Sequence, residues 1–396
     1  MKTRNLAIFP FLIIFYAILT YLSNDMYLPA LFDLMRDFNT TTSMAQLTLT
    51  TWFLGSASTQ LIMGPLSDHY GRRPILLLGG MIFIVSSILC AATHSMFILL
   101  IARFLQGSAV CSLMVAGYAT VHELYDTKQA IHILALIGSV GILAPAFGPL
   151  LGSFILTVAT WRFMFLLLAA GAVAAIILLF KWMPESNPLE NRTPIAFKKI
   201  VKSYCSIITN INFILATLVL CLIYSGLIAW LTIGPLLITE ALHLTPMMFG
   251  LYQALIFGSF ILGNIFLKYT IPTIGLTKTI HYGLIVTVCG ALFSLLSAIY
   301  FHSIIGFIVA LMIYAGGAAL QYGTLQRIAI EMSHEPMGLR MAIFSSLLGI
   351  AGVLASSVSS YIYIGKPIQL AYFLVIVSVI AFVINVKRMK QHIDKN

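Results

Sequence analysis

The feature that most constrains this chain is a series of long apolar runs separated by short polar breaks. A helix needs about 20 apolar residues to cross the hydrocarbon core of a bilayer. Only helices and closed barrels span membranes, and these runs lack the alternation of a barrel strand. Twelve spans are expected, at residues 7–34, 44–64, 74–93, 96–121, 130–156, 162–183, 211–236, 247–269, 278–300, 303–326, 339–362 and 367–386. The fold class is therefore all-α and integral to a membrane. With 9% charged and 60% apolar residues, the chain could not cover a soluble surface, for which about 25% charged residues is usual. The first span contains Pro29 and is expected to kink there. Residues 1–5 superficially resemble the start of a signal peptide. The run that follows is too long for one, and no small-residue cleavage site closes it, so it reads as a retained span.

Twelve spans put both termini on one face. Assigning that face 18 of the 22 Lys and Arg residues leaves Arg36, Arg162 and Lys366 opposite and Arg103 inside. Eight acids share the basic face, so the whole formal charge of +10 lies there. Basic loops face the cytoplasm, which predicts cytoplasmic termini in an inner membrane. The asymmetry also accounts for the high isoelectric point without nucleic acid, through orientation and attraction to anionic lipid.

Two full charges lie well inside the apolar runs, Asp25 and Arg103. Each costs about 2.5–3.5 kcal/mol on insertion scales, so each is expected to have a function or a specific partner. A carboxyl group can be neutralised by a proton and then tolerates the bilayer; ionised, it needs a partner or water. Alternate loading of Asp25 by proton and substrate would couple two fluxes. Asp25 could instead sit near the outer surface as a solvated cap, but the apolar run continues to Leu34. Arg103 cannot neutralise and must be hydrogen-bonded. Gln106 stands one turn away on the same face. Two roles are open for this pair: tuning or relaying the proton at Asp25, or tying span 4 to span 1.

The longest polar stretch, Pro184 to Asn210, divides six spans from six. It suggests an N-terminal half at 1–185, a linker at 186–210 and a C-terminal half at 211–396. Span 5 carries Gly138, Gly141, Pro145, Gly148, Pro149 and Gly152, and span 11 carries Ser345, Gly349, Gly352 and Ser356. Each set makes a stripe of small residues along which another helix can approach closely. Equivalent positions in two halves suggest a duplication with a site between them.

The loop between spans 2 and 3 reads Gly64-Pro-Leu-Ser-Asp68-His-Tyr-Gly71-Arg72-Arg73. Read by itself, it is a tight basic turn in which Asp68 caps a helix or pairs with an arginine. The pattern resembles the signature of the major facilitator superfamily. That resemblance implies two pseudo-symmetric six-helix bundles around a central cavity. It also implies that Gly64, Asp68, Gly71, Arg72 and Arg73 latch the halves on the cytoplasmic side. Leu99-x-x-x-Arg103-x-x-Gln106-Gly107 in span 4 is similar to the basic motif of proton-coupled members. The stripe in span 5 resembles the motif of antiporters. With Tyr21, Asn24, Asp25, Met26 and Pro29 in span 1, the set is closest to the twelve-span drug:proton antiporters of the bicyclomycin, chloramphenicol and multidrug facilitator efflux group. Two departures matter. The multidrug pattern has a second acid in span 1 where this chain has Ala17, which weakens the ground for a preference for cationic drugs, and for divalent ones most of all. The loop from Lys268 to Lys278 lacks the acidic and double-arginine pattern, so no symmetric latch is expected there.

Aromatic walls with few polar groups suit lipophilic ligands. The residues for such a wall are Tyr21, Asn24, Asp25, Met114, Tyr224, Trp230, Tyr252, Gln253, Phe257, Tyr314, Gln321 and Tyr322, although most aromatics in a membrane chain face lipid or neighbouring helices. Five cysteines without C-x-x-C spacing read as packing residues. The nine histidines form no metal motif, and no nucleotide loop or catalytic triad is present. No cofactor, metal or catalytic residue is expected, and the chain is not read as an enzyme. Glu123, Asp126, Glu331 and Glu335 are expected to pair at span ends. The expected partners are protons, a small-molecule substrate and the bilayer, with the chain acting as a monomer. The leading reading is a proton-coupled exporter of lipophilic drugs by alternating access. An exporter of a native metabolite, sugar or siderophore stands second, and a non-transporting membrane receptor third.

Overall fold

The computed structural model describes residues 2–192, 197–301, 303–333 and 335–393, and among these the secondary structure is helical. Eleven of the expected spans are long and apolar enough to cross a membrane: span 1 (Ala7–Asp37), 3 (Arg72–Ala92), 4 (Met96–Leu124), 5 (Lys128–Leu156), 6 (Trp161–Trp182), 7 (Ile211–Ala241), 8 (Pro246–Ile274), 9 (Leu276–Tyr300), 10 (Ile304–Glu331), 11 (Met337–Ile362) and 12 (Pro367–Arg388). Span 2 is the 29-residue helix Thr42–Tyr70, equally long but richer in Ser, Thr and Gln. Its polarity has a structural reason. Gln46 donates to the Thr232 carbonyl at 3.0 Å, Thr50 shares a 2.7 Å hydrogen bond with Ser356, and Ser346 donates to the Ala57 carbonyl at 3.2 Å. These side chains fasten span 2 to the other half of the molecule instead of facing lipid.

Capping side chains start several of the long helices. Thr41 accepts from the Met44 amide, Asp126 from Gln129 and Ser303 from Gly306, each supplying one of the acceptors that the first turn lacks. Span 1 is broken: one helix ends at Asp25, a short turn covers Leu28–Ala30, and a second helix runs Leu31–Asp37. Pro29 causes the break, because it lacks an amide hydrogen and disfavours helical backbone in the residue before it.

Every strong pairing of the first six spans recurs six spans later. Span 4 packs on 2 and 3, span 1 on 5 and 6, and span 3 on 6; span 10 packs on 8 and 9, span 7 on 11 and 12, and span 9 on 12. Two further pairs join the bundles, span 2 with 11 and span 5 with 8. The same exchange relates 2 to 8 and 5 to 11, as a two-fold axis between the bundles requires.

The bridging contacts gather at the ends of the spans away from the termini. There Thr42 reaches Glu240 at 3.5 Å, and Ser153 donates to the Pro246 carbonyl at 2.8 Å. Towards the face that carries the termini, Gly138 of span 5, Gly258 of span 8 and Gly323 of span 10 meet open space. Among the described residues, the hydrogen bonds between the bundles thus lie towards the distal face.

Candidate functional site

Asp25 ends the first helix of span 1, and only 3% of its surface is exposed. Its carboxylate accepts a 3.3 Å hydrogen bond from the Asn24 amide. No ion pair to it forms among the described residues. The small-residue stripe of span 5 lies directly behind it. A methyl group on Gly148 would press on the Asp25 side chain, one on Gly141 on the Tyr21 ring, and one on Gly152 would collide with the Met26 carbonyl. The stripe lets span 1 break and carry its carboxylate to the bundle centre. Gly138, at the open end of the stripe, meets nothing. Pro149 presents its carbonyl to Ser153, which donates to it at 2.7 Å.

Arg103 is fully buried and has no carboxylate partner among the described residues. Its guanidinium donates to the Ser23 carbonyl at 2.9 Å, the Thr48 carbonyl at 3.3 Å and Gln106 Oε1 at 2.5 Å. It lies over the Tyr27 ring at 4.2 Å and near Phe165 at 5.8 Å. Gln106 passes the connection to Ser87 of span 3 at 2.8 Å. Gly107 packs so tightly on the Trp52 carbonyl that no side chain fits. One residue thus joins spans 1, 2 and 4, with spans 3 and 6 at second hand. One nitrogen of the guanidinium, Nη2, is buried without a hydrogen-bond partner.

Around Asp25 the structure brings together Tyr21, Asn24, Met114, Tyr224 and Tyr322. The Tyr21 hydroxyl meets the Met114 sulfur at 3.1 Å and lies beside Tyr118 and Tyr322. Tyr224 lies within electrostatic reach of Asp25, with its ring 6.4 Å from Tyr322. Tyr322 meets Phe260 at 6.0 Å, and Phe260 meets Phe257 at 6.3 Å. Met114 stands on a π-helical turn of span 4, Leu113–Gly117, a kind of bulge that often re-aims side chains at functional sites. The rest of the expected wall is placed differently. Trp230 donates to Gln253 at 2.6 Å, and both are fully buried. Tyr314 donates to the Ile223 carbonyl at 3.0 Å, and Gln321 to Thr287 at 2.9 Å, inside the second bundle. Tyr252 is half-buried on span 8. Phe260 against Tyr322 and Tyr118 and Cys111 beside Tyr21 belong to the same cluster; a sequence gives no signal for them beyond ordinary residues in apolar runs.

The loop after span 2 forms a compact polar knot. Arg72 pairs with Asp68 at 2.5 Å and with Glu123 of span 4 at 2.9 Å. Gly71 adopts φ +101°, which favours glycine, and turns the chain into span 3. The backbone amides of Arg72 and Arg73 then donate to Glu185 at 2.9 and 3.2 Å, and Arg73 donates to the Phe180 carbonyl. Asn187 donates to the Asp68 carbonyl at 3.0 Å. Gly64 meets nothing. All these partners belong to the first bundle or the start of the linker, so these contacts of the loop do not bridge the halves. Glu331 pairs with Arg327 one turn away at 2.8 Å, whereas Asp126 serves as a helix cap.

Chains of similar sequence and shape were found. The chloramphenicol resistance protein CraA of Acinetobacter baumannii is 29% identical over 87% of this chain and 83% of its own. A multidrug transporter MdfA of Yersinia pestis is 28% identical over 88% and 86%. The multidrug resistance protein MdtM of Escherichia coli is 31% identical over 66% and 64%. The crystal structure of a D-xylose-proton symporter superposes with a TM-score of 0.76 at 15% identity, over 96% of this chain and 98% of the other, and shows the shared fold. The family model of the Major Facilitator Superfamily matches residues 13–355, and the chain, a multi-pass membrane transporter, belongs to that family.

Proposed function

We propose that this chain is a proton-coupled antiporter that exports lipophilic small molecules by alternating access, with Asp25 as the carboxylate that proton and substrate load in turn. The observation that carries the reading is the setting of Asp25: a membrane-buried acid with no cation in contact, backed by the glycine stripe of span 5 and facing an aromatic chamber. Protonated, it is compatible with a closed apolar site; ionised, it favours water or a ligand. Arg103 and Gln106 hold spans 1, 2 and 4 in register around it, and their part in proton handling is exerted through that positioning. The names of the relatives, a chloramphenicol resistance protein and multidrug transporters, support drug-like cargo and the outward direction.

The halves run 1–185 and 211–396, joined by the linker 186–210. The excess of Lys and Arg on the terminal face supports cytoplasmic termini in an inner membrane, and with them an inward-facing state. The transport unit is the monomer, because the cavity lies between two halves of one chain. Reconstituted vesicles with an imposed pH gradient test the reading. Drug flux driven by the gradient is expected for the wild type and absent in Asp25→Asn. Gradient-driven flux that survives undiminished in Asp25→Asn would overturn the assignment.

A further inference from the structure

The linker holds a helix that stands apart from the transport site, Phe197–Thr209, with three lysines and no acid. Its inner face is docked. Ile207 is fully buried, Tyr204 is half-buried, and the Tyr204 hydroxyl donates to the Leu61 carbonyl of span 2 at 2.9 Å. The helix also packs on spans 7 and 11. Asn210, just after it, caps span 7 and donates to the Met332 carbonyl at the end of span 10 at 2.7 Å. The helix therefore lies over the line where span 2 of one half meets span 11 of the other.

The outer face is not docked. At about 3.6 residues per turn, Val201, Cys205 and Ile208 fall in one row, and Lys198 and Lys202 in the row beside it. All five are exposed, Val201 by 40% and Ile208 by 49%. An apolar row edged by lysines is the pattern of a helix that lies in the plane of a membrane surface. Its level agrees. Span 2, a helix of 29 residues, is about 43 Å long and exceeds a hydrocarbon core of about 30 Å. Leu61 lies nine residues before its end at Tyr70, roughly 13 Å inside it. A helix held to Leu61 stands beside the end of span 2, not beyond it, at the depth of lipid headgroups.

We propose that the linker helix is an interfacial anchor that docks on anionic lipid in the leaflet at the terminal face. Lys198 and Lys202 meet the headgroup phosphates, and Val201, Cys205 and Ile208 enter the boundary of the acyl chains. The charge is complementary, because lysines on a helix without acids are drawn to an anionic surface. A protein partner fits less well: three apolar side chains offer far less than the about 800 Å² that each side of a stable interface buries. The anchor holds the linker, and through Tyr204 and Asn210 both halves, to one lipid surface.

The test reads the depth of Cys205. In full-length protein with exposed Cys289 replaced by serine, Cys205 is the exposed thiol that remains among the described residues, and it takes a fluorescent label in detergent. The protein is then reconstituted at low density in vesicles of phosphatidylcholine, or of phosphatidylcholine and phosphatidylglycerol in equal parts. Acrylamide quenches the label from water, and a lipid spin-labelled near its headgroup quenches it from the membrane. Phosphatidylglycerol is expected to lower acrylamide quenching several-fold and to raise quenching by the spin-labelled lipid. The double variant Lys198→Gln and Lys202→Gln is expected to return both to the phosphatidylcholine level. Lys268→Gln, at an exposed lysine near the end of span 8, is expected to behave as the wild type. High salt screens exposed charges and, needing no variant, is expected to act on the wild type as the double substitution does. Quenching indifferent to phosphatidylglycerol or to salt, a double variant like the wild type, or an equal change in Lys268→Gln would each overturn the proposal. Shielding of Cys205 that grows with protein density and not with lipid charge would overturn it too, and would assign the face to a second copy of the chain.

Discussion

Asp25 and Arg103 are the two charges well inside the apolar runs, and they solve burial differently. Asp25 can become neutral and is left with one weak amide donor. Arg103 cannot, and is spread over two carbonyls, a glutamine and an aromatic ring. Its removal therefore takes a donor from Gln106 Oε1 and from two buried carbonyls at once. Arg103→Ala is expected to cost about 3–5 kcal/mol, since breaking a buried charged network leaves its remaining members desolvated. Arg103→Lys is expected to recover little, because an ammonium cannot hold the fork of donors and stack on Tyr27 together. Detergent melting curves and vesicle transport check both; a wild-type melting temperature in Arg103→Ala would show that the network carries no structure.

Span 5 shows what a helix can carry besides its apolar face. Its glycines are spaced to place backbone, not side chain, against span 1. The stripe is graded: Gly152 has no room, Gly148 little, and Gly138 is open. Gly152→Ala is expected to push the broken segment of span 1 outward and reduce drug flux at least several-fold. Gly138→Ala is expected to leave flux near that of the wild type. Flux measured side by side in vesicles, normalised to inserted protein, distinguishes the two, and equal losses would remove the close approach as the cause. Span 2 makes the complementary point. Its Ser, Thr and Gln residues weakened it as an apolar run, yet those side chains are the distal seal to spans 7 and 11.

At the scale of the whole molecule, hydrogen bonds join the two bundles towards the distal face. Hydrogen bonds of hydroxyls and one amide form most of that seal, with Glu240 the one carboxylate among these contacts. Thr50 and Ser356 face each other across it at 2.7 Å. In a background with exposed Cys205 and Cys289 replaced by serine, the pair Thr50→Cys and Ser356→Cys is expected to form a disulfide. Oxidation should then stop transport, and reduction restore it. Transport that continues in the oxidised, cross-linked protein would mean that this face need not open.

The number and order of the spans are properties of the sequence alone, because a backbone in hydrocarbon must satisfy its own hydrogen bonds and leaves the helix as the only local answer, whereas their limits moved by up to six residues, as at Tyr70 of span 2. The duplication and the buried charges are legible there too. A glycine stripe gains nothing unless a backbone packs on it, and a lone Asp in lipid is costly without a role. The partners of those charges are not legible. Ser23 and Tyr27 come to Arg103 from span 1 and Thr48 from span 2, Ser87 comes to Gln106 from span 3, and Glu185 reaches the start of span 3 from beyond span 6. Whether Trp230 and Gln321 face the chamber or their own bundle depends on helix rotation. In lipid no difference in apolarity between neighbour and solvent sets that rotation. Tertiary packing, by fitting small residues to close backbones and polar groups to one another, decided it.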